Sequence, residues 1–134
     1  MKKVFKFLFP YIYKDIKIIV WYRIGHFFYK YNFKRLSFLC ESFILSKYGC
    51  AISCQAKIGR NISFPHPIGI VIGGGCEIED NVRIYQNVTL GRKKSEIAEY
   101  PFVGRDSIVY SNSVILGNVR LANGTVVGAN TVLV

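Results

Sequence analysis

Two hydrophobic periodicities divide the 134-residue chain near Gly49. From Tyr11 to about Tyr31, apolar side chains recur at three and four spacing through Ile12, Ile16, Ile19, Val20, Ile24, Phe27 and Phe28, which predicts an amphipathic helix. A second helix is predicted from about Lys34 to Tyr48, carried by Leu36, Phe38, Leu39, Phe43 and Ile44 and stopped at Gly49, which suits a left-handed C-terminal residue. From Ile52 onward the period becomes six. Ile52, Ile58, Phe64, Ile70, Cys76, Val82 and Val88 form one column, and Ile72, Ile78, Ile84 and Leu90 form a second, two residues on. After an interruption, Val103, Val109, Ile115, Leu121, Val127 and Leu133 resume it. Neither a helix nor an alternating strand has this period; it is the hexapeptide β-helix pattern, in which three short strands make a coil of about eighteen residues and each apolar column fills the prism. Gly59, Gly73, Gly91, Gly104, Gly117, Asn118, Asn123, Gly124 and Gly128 are expected at the turns. The break "GRKKSEIAEYP" carries charge where core is due, so residues 92–101 are predicted to leave the prism as a loop.

Charge and aromatics divide at the same place. Residues 1–50 hold ten Lys and Arg against Asp15 and Glu41, whereas residues 51–134 hold eight against six acids, and fifteen of the twenty aromatics lie at or before Tyr48. The lead-in is therefore either a helix pair packed on a partner subunit with solvated lysines, or a pair making peripheral contact with anionic lipid through residues 1–48. Nucleic acid is not an expected partner, because the aromatics fall at helical packing spacing and no reading module is present. The opening "MKKVFKFLFP" is basic like a signal peptide, but Lys6 and Pro10 interrupt it and no small-x-small site follows. No uncharged apolar run approaches the roughly 18–20 residues that span a bilayer, so the chain is expected in the cytoplasm, at most peripheral at the inner face of the membrane. Cys40, Cys50, Cys54 and Cys76 read as reduced thiols rather than a zinc site, since only Cys50 and Cys54 are close; no metal is expected.

In "FPHPIG", residues 64–69, Pro65 and Pro67 lack N–H donors and fix their own φ. The segment cannot be an ordinary ladder rung and is predicted to be a stiff corner, with Phe64 inward and His66 outward. His26, within "RIGHFF", is expected to serve packing or solubility.

The stretches "AKIGRNISFPHPIGIVIGGGCEIEDNVRIYQNVTLG" and "YPFVGRDSIVYSNSVILGNVRLANGTVVGANTVLV" resemble the serine acetyltransferase family of hexapeptide-repeat acyltransferases over about residues 49–134. "WYRIGHF" at 21–27 also resembles the lead-in of the surface-polysaccharide relatives, the colanic acid acetyltransferase type. The resemblance implies a mainly β fold, a left-handed parallel β-helix preceded by an N-terminal α-helical segment, with residues 1–49 as lead-in and 50–134 as acyltransferase domain. It further implies a homotrimer, acetyl-CoA as co-substrate, and acetyl transfer to a hydroxyl.

The family's catalytic histidine maps onto His66, as general base for the attacking hydroxyl; an imidazole titrating at about 6.5 is matched to that task. Gly91 matches the first glycine of the family's "TLGG", Arg92 stands at the second, and Ser111 and Gly128 fall along the coenzyme groove. Tyr85 and Tyr100 are the candidate acceptor-binding residues. Lys93 and Lys94 beside Arg92 could meet phosphates. At the positions of the family's Asp, Asp, Glu and second His, this chain has Ala51, Pro65, Gly74 and Tyr100. No carboxylate remains at those positions for an amino acid's ammonium, so the expected acceptor is a neutral sugar hydroxyl of a cell-surface polysaccharide or its precursor. Serine, as in cysteine biosynthesis, is the alternative acceptor. A β-helix acting only as an assembly partner is the alternative to an enzyme.

Overall fold

The computed structural model describes residues 2–134, with side chains from Lys14 onward; Tyr11, Ile12 and the opening "MKKVFKFLFP" lie outside the described side chains. Two helices, α1 (Lys2–Lys30) and α2 (Lys34–Tyr48), precede twelve strands of two or three residues. Helix α1 begins upstream of the predicted Tyr11. Helix α2 ends on Gly49 at φ 69°, its N–H bonded to the Leu45 carbonyl.

The strands are β1 (Ala51–Ile52), β2 (Lys57–Ile58), β3 (Val71–Ile72), β4 (Glu77–Ile78), β5 (Arg83–Ile84), β6 (Thr89–Gly91), β7 (Phe102–Val103), β8 (Ile108–Val109), β9 (Val114–Leu116), β10 (Arg120–Leu121), β11 (Val126–Val127) and β12 (Val132–Leu133). They stack into three parallel sheets, β1-β3-β6-β9-β12, β2-β4-β7-β10 and β5-β8-β11, with a Ser63–Arg83 bridge continuing the third. This is the expected left-handed β-helix behind N-terminal helices. Its core is the stacked column of strand-end residues, with Ile52, Ile72, Leu90 and Ile115 on one face and Phe64, Ile84 and Val109 on another, all fully or nearly fully buried.

The register corrects the uninterrupted column read through Phe64. Ile52 and Ile58 pair with Ile72 and Ile78, twenty residues on, and Ser63 pairs with Arg83, also twenty on. Val71 pairs with Thr89, only eighteen on. The two extra residues therefore sit between Ser63 and Val71, at the FPHPIG corner, and the apolar frame slips by two there. Ile70 and Val82 are still buried, but they stand two residues before the strand-end positions, which hides the slip from a plain count by six.

The turns differ from expectation too. Of the predicted turn residues, only Gly117 and Gly124 have positive φ; the left-handed positions are filled by Asn61, Asn81 and Asp106 along one edge and Asn87, Asn112 and Asn130 along another. An amide side chain tolerates that conformation and can also bond to its equivalent one coil on. Asn61 Nδ2 donates to Asn81 Oδ1 at 2.9 Å, Asn81 Nδ2 to Asp106 Oδ1 at 3.1 Å, and Asn87 Nδ2 to Asn112 Oδ1 at 3.2 Å. Gly104 serves close approach instead, since a Cβ there would lie 2.7 Å from the Asn123 nitrogen.

The lead-in closes the open end of the prism in its own chain. The first coil has no coil before it, so its outward backbone groups need other partners, and each left buried and unpaired costs about 1–3 kcal/mol. Tyr22 Oη donates to the Ala56 carbonyl and accepts the Ile58 N–H at 3.2 Å. The Arg23 guanidinium donates to the Ile58 and Gly59 carbonyls. His26 Nδ1 lies 2.8 Å from the Cys54 carbonyl, so this histidine caps the coil rather than merely packing or solubilising. Glu41 Oε1 accepts the Cys54 N–H at 2.6 Å and the Ser53 hydroxyl at 3.1 Å, and Asp15 Oδ1 accepts the Phe64 N–H at 3.0 Å. Gly25 lets α1 approach this closely, because a Cβ there would overlap Cys54 Sγ. "YRIGH" is thus a cap.

All four cysteines are buried, and burial raises every thiol, Cys54 and Cys76 to about 12. Disulfide-exchange reagents at pH 8 should find no reactive thiol in the native chain and all four after unfolding; labelling of the folded protein would contradict this packing. Tyr22→Phe, which keeps the ring and removes the hydroxyl serving two backbone groups, should lose about 1–3 kcal/mol in urea unfolding.

Candidate functional site

The FPHPIG corner lies where the chain passes from the third sheet to the first. Phe64 is fully buried and anchors it. Beyond Phe64 the prolines leave His66 and Ile68 as the next N–H groups, and Ile68 N–H turns back to the His66 carbonyl at 2.8 Å, a three-residue turn centred on Pro67. Gly69, at φ 65°, then donates to the Gly49 carbonyl and returns the chain to the ladder. Pro67 is buried while His66 is exposed, so the corner holds the imidazole outward from a stiff base.

Along this same edge the next coils place Tyr85 and then Tyr110. The His66 and Tyr85 rings lie 6.2 Å apart at 53°, and Tyr85 stacks on Tyr110 at 4.9 Å and 28°. Ser111 and Gly128 continue the edge: the Asn130 N–H bonds to the Ser111 carbonyl and Ser113 Oγ donates to the Gly128 carbonyl at 2.8 Å. Between Tyr85 and Asn87, the side-chain oxygen of Gln86 is buried without a hydrogen-bond partner, the only such side-chain atom among the described residues.

Asp15 reaches the same corner from α1. Its carboxylate accepts the Phe64 N–H and the Ser63 hydroxyl, and burial pushes its pKa above the ordinary carboxylate value against the lowering effect of those bonds. The Phe64 N–H would bond backward to a preceding coil, as the Ile84 N–H bonds to the Ser63 carbonyl; with no such coil, the carboxylate takes its place. Sequence reasoning counted Asp15 only as a charge. Its signal was present all the same, as one of just two acids among ten cations in residues 1–50.

The remaining candidates occupy another edge, between the first and second sheets. The Tyr100 ring covers the glycine run, where a Cβ at Gly75 would overlap its Cδ2 and one at Gly73 would meet its Cε1 at 3.0 Å. Arg92 lies over that ring at 5.8 Å and donates to the Ser95 carbonyl at 3.0 Å. Lys93 sits against Gly117, and the Gly117 N–H bonds to the Gly91 carbonyl. Residues 92–99 are exposed, folded on their own edge. Leu90 and Val103 stand on adjacent faces, so the loop interrupts a single hexapeptide. One chain therefore brings His66, Tyr85, Ser111 and Gly128 together and keeps Gly91, Arg92 and Tyr100 apart from them. No group of three or more metal-ligating side chains occurs among the described residues.

No family model matches the chain. The serine acetyltransferase of Bacillus pumilus is 35% identical over 127 residues, 90% of this chain and 56% of that protein. A serine acetyltransferase solved in complex with cysteine superposes with a TM-score of 0.86 at 35% identity, over 89% of this chain and 50% of that one. Another, in complex with CoA, gives 0.81 at 35% identity over 86% and 47%. The chain spans about half the length of the relatives it matches.

These likenesses overturn the polysaccharide reading, because the match to serine acetyltransferases extends through the lead-in that had suggested the colanic acid type. At this corner, where Ala51, Pro65 and Gly74 carry no carboxylate, the Asp15 carboxylate lies on the Phe64 N–H.

Gly75→Ala should expel the Tyr100 ring and release the loop, so trypsin should cut at Arg92–Lys94 faster, by about fivefold if roughly 1 kcal/mol of ring and cation contact is lost. An unchanged cleavage rate would mean the ring does not hold the loop. With these contacts in place, the chain is a hexapeptide-repeat, left-handed β-helix similar to the serine acetyltransferases.

Proposed function

We propose that this chain is the part of an acetyl-CoA-dependent serine O-acetyltransferase that carries the general base. The observation that carries the proposal is an exposed histidine on a corner stiffened by Pro65 and Pro67, with the Asp15 carboxylate anchored two residues before it. The two similar solved structures, one in complex with CoA and one with cysteine, support the coenzyme and an amino-acid ligand.

In the proposed reaction His66 takes the proton from the serine hydroxyl as that oxygen attacks the thioester carbonyl. The new C–O bond forms, the tetrahedral oxyanion collapses, the C–S bond breaks, and the imidazolium returns its proton to the departing thiolate. The products are O-acetylserine and CoA, with no covalent enzyme intermediate. Asp15 offers its second oxygen to the serine ammonium, the role for which the aligned positions lack an anion. Tyr85 and Tyr110 form an aromatic wall along the edge. The division of the candidates over two edges supports the trimer that the resemblance implies, with the Tyr100 edge of one copy facing the His66 edge of the next. Light scattering should then give three times the 15.3 kDa chain mass.

Thiol release from acetyl-CoA with serine should fall by about 10²–10⁴-fold in His66→Ala. Serine-independent release, or equal turnover by the alanine variant, would sink the proposal. Asp15→Asn keeps an oxygen to accept the Phe64 N–H and removes a desolvated charge, so folding at pH 7 should hold or improve. The serine KM should nonetheless rise by about 10–100-fold, the worth of one charge-assisted hydrogen bond. The acetyl-CoA KM should stay put. A rise in both constants would make Asp15 a structural cap only.

A further inference from the structure

From the outer surface of the helical lead-in, we infer that α1 and α2 form a docking face for an anionic lipid surface. This goes beyond acetyl transfer and does not depend on it. Along α1, Ile16, Val20, Ile24 and Phe27, followed by Tyr31 just past the helix end, recur at spacings of four, four, three and four, and all five are exposed, Ile16 at 57% and Phe27 at 55%. They make one stripe on the helix face opposite Ile18, Tyr22 and Gly25, which pack inward. Helix α2 buries Ser37, Cys40 and Ile44 and turns outward Leu36, Phe38, Leu39 and Leu45, with Phe38 exposed at 66%.

Charge selects the occupant. Lys14, Lys30, Lys34, Arg35 and Lys47 of the same lead-in are exposed as well. The only two carboxylates in residues 14–49, Asp15 and Glu41, are turned inward onto the Phe64 and Cys54 N–H groups. The outside of the lead-in therefore presents mainly cations and apolar side chains, with both carboxylates half-buried and engaged by backbone N–H groups. A second copy would bring like charge against like charge. A nucleic-acid backbone would leave the aliphatic stripe without a partner. An anionic bilayer surface satisfies both components, the stripe entering the acyl boundary and the lysines meeting headgroups. Neither described helix is long and apolar enough to cross a membrane, so the contact is with the surface.

The full chain should co-float with phosphatidylserine–phosphatidylcholine vesicles at low salt, leave them as salt rises, and ignore pure phosphatidylcholine. Lys34→Glu combined with Arg35→Glu and Lys47→Glu should weaken binding by about 100-fold or more, given the contribution of each cation near an anionic surface. Val20→Ser with Phe27→Ser should weaken it by roughly tenfold or more while the circular dichroism spectrum is kept, since both side chains are already solvated. Absence from anionic vesicles overturns the inference. So does flotation insensitive to the serine pair, an oligomer dissolved by that pair in a chain that does not bind vesicles, or binding to duplex DNA without binding to vesicles.

Discussion

A β-helix is a stack of coils, and its first coil has nothing before it to pair with. That unmet hydrogen bonding is the constraint on which the rest of the molecule depends. Open strand edges either recruit another chain or must be covered, and here α1 and α2 cover the edge with side chains aimed at individual backbone groups. Tyr22, Arg23, His26 and Glu41 serve the first two turns of the coil, and Asp15 serves the third. Because Tyr22 is buried, with its pKa raised to about 12, its hydroxyl stays neutral and can donate and accept at once. Gly25 is what allows the helix axis to come this near to the first coil, since a Cβ there would overlap Cys54 Sγ.

The cap and the candidate site meet at one residue. Phe64 is the last inward anchor before the corner, and its N–H is the last donor before Pro65. A carboxylate on that N–H holds the strand end in place while Pro65 and Pro67 restrict the backbone on either side of His66. The two extra residues of the first coil are spent here, which lifts His66 out of the ladder without disturbing the sheets on either side. A later coil could not do this as readily, since its corner is hydrogen-bonded to coils on both sides.

The sequence made the architecture legible, because a period of six admits few other structures. Where a helix ends, where the prism begins and where the loop leaves it were all visible in side-chain type. The frame slip at Phe64 was not, because Ile70 and Val82 are apolar in either register. The left-handed turns were assigned to glycines because glycine adopts them most freely, whereas the fold uses Asn61, Asn81, Asn87 and Asn112, whose amides add a ladder that a glycine cannot make. His66 was found from the prolines around it. Asp15 was missed because it stands 49 positions from the backbone group it caps, and no local pattern carries that distance. The expectation of a sugar acceptor rested on the residue types at Ala51, Pro65 and Gly74 alone.

The same two acids shape both sides of the lead-in. Had Asp15 and Glu41 faced solvent, they would have offset part of the local cationic charge and left two coil N–H groups unsatisfied. Turned inward, they complete the prism and leave an outer surface of lysine, arginine and exposed apolar side chains. Capping the coil and charging the surface are thus one arrangement, since each carboxylate drawn into the cap is removed from the exterior. A substitution at either position therefore acts at the cap, whereas changes to Lys34, Lys47 or Phe27 alter the exterior alone.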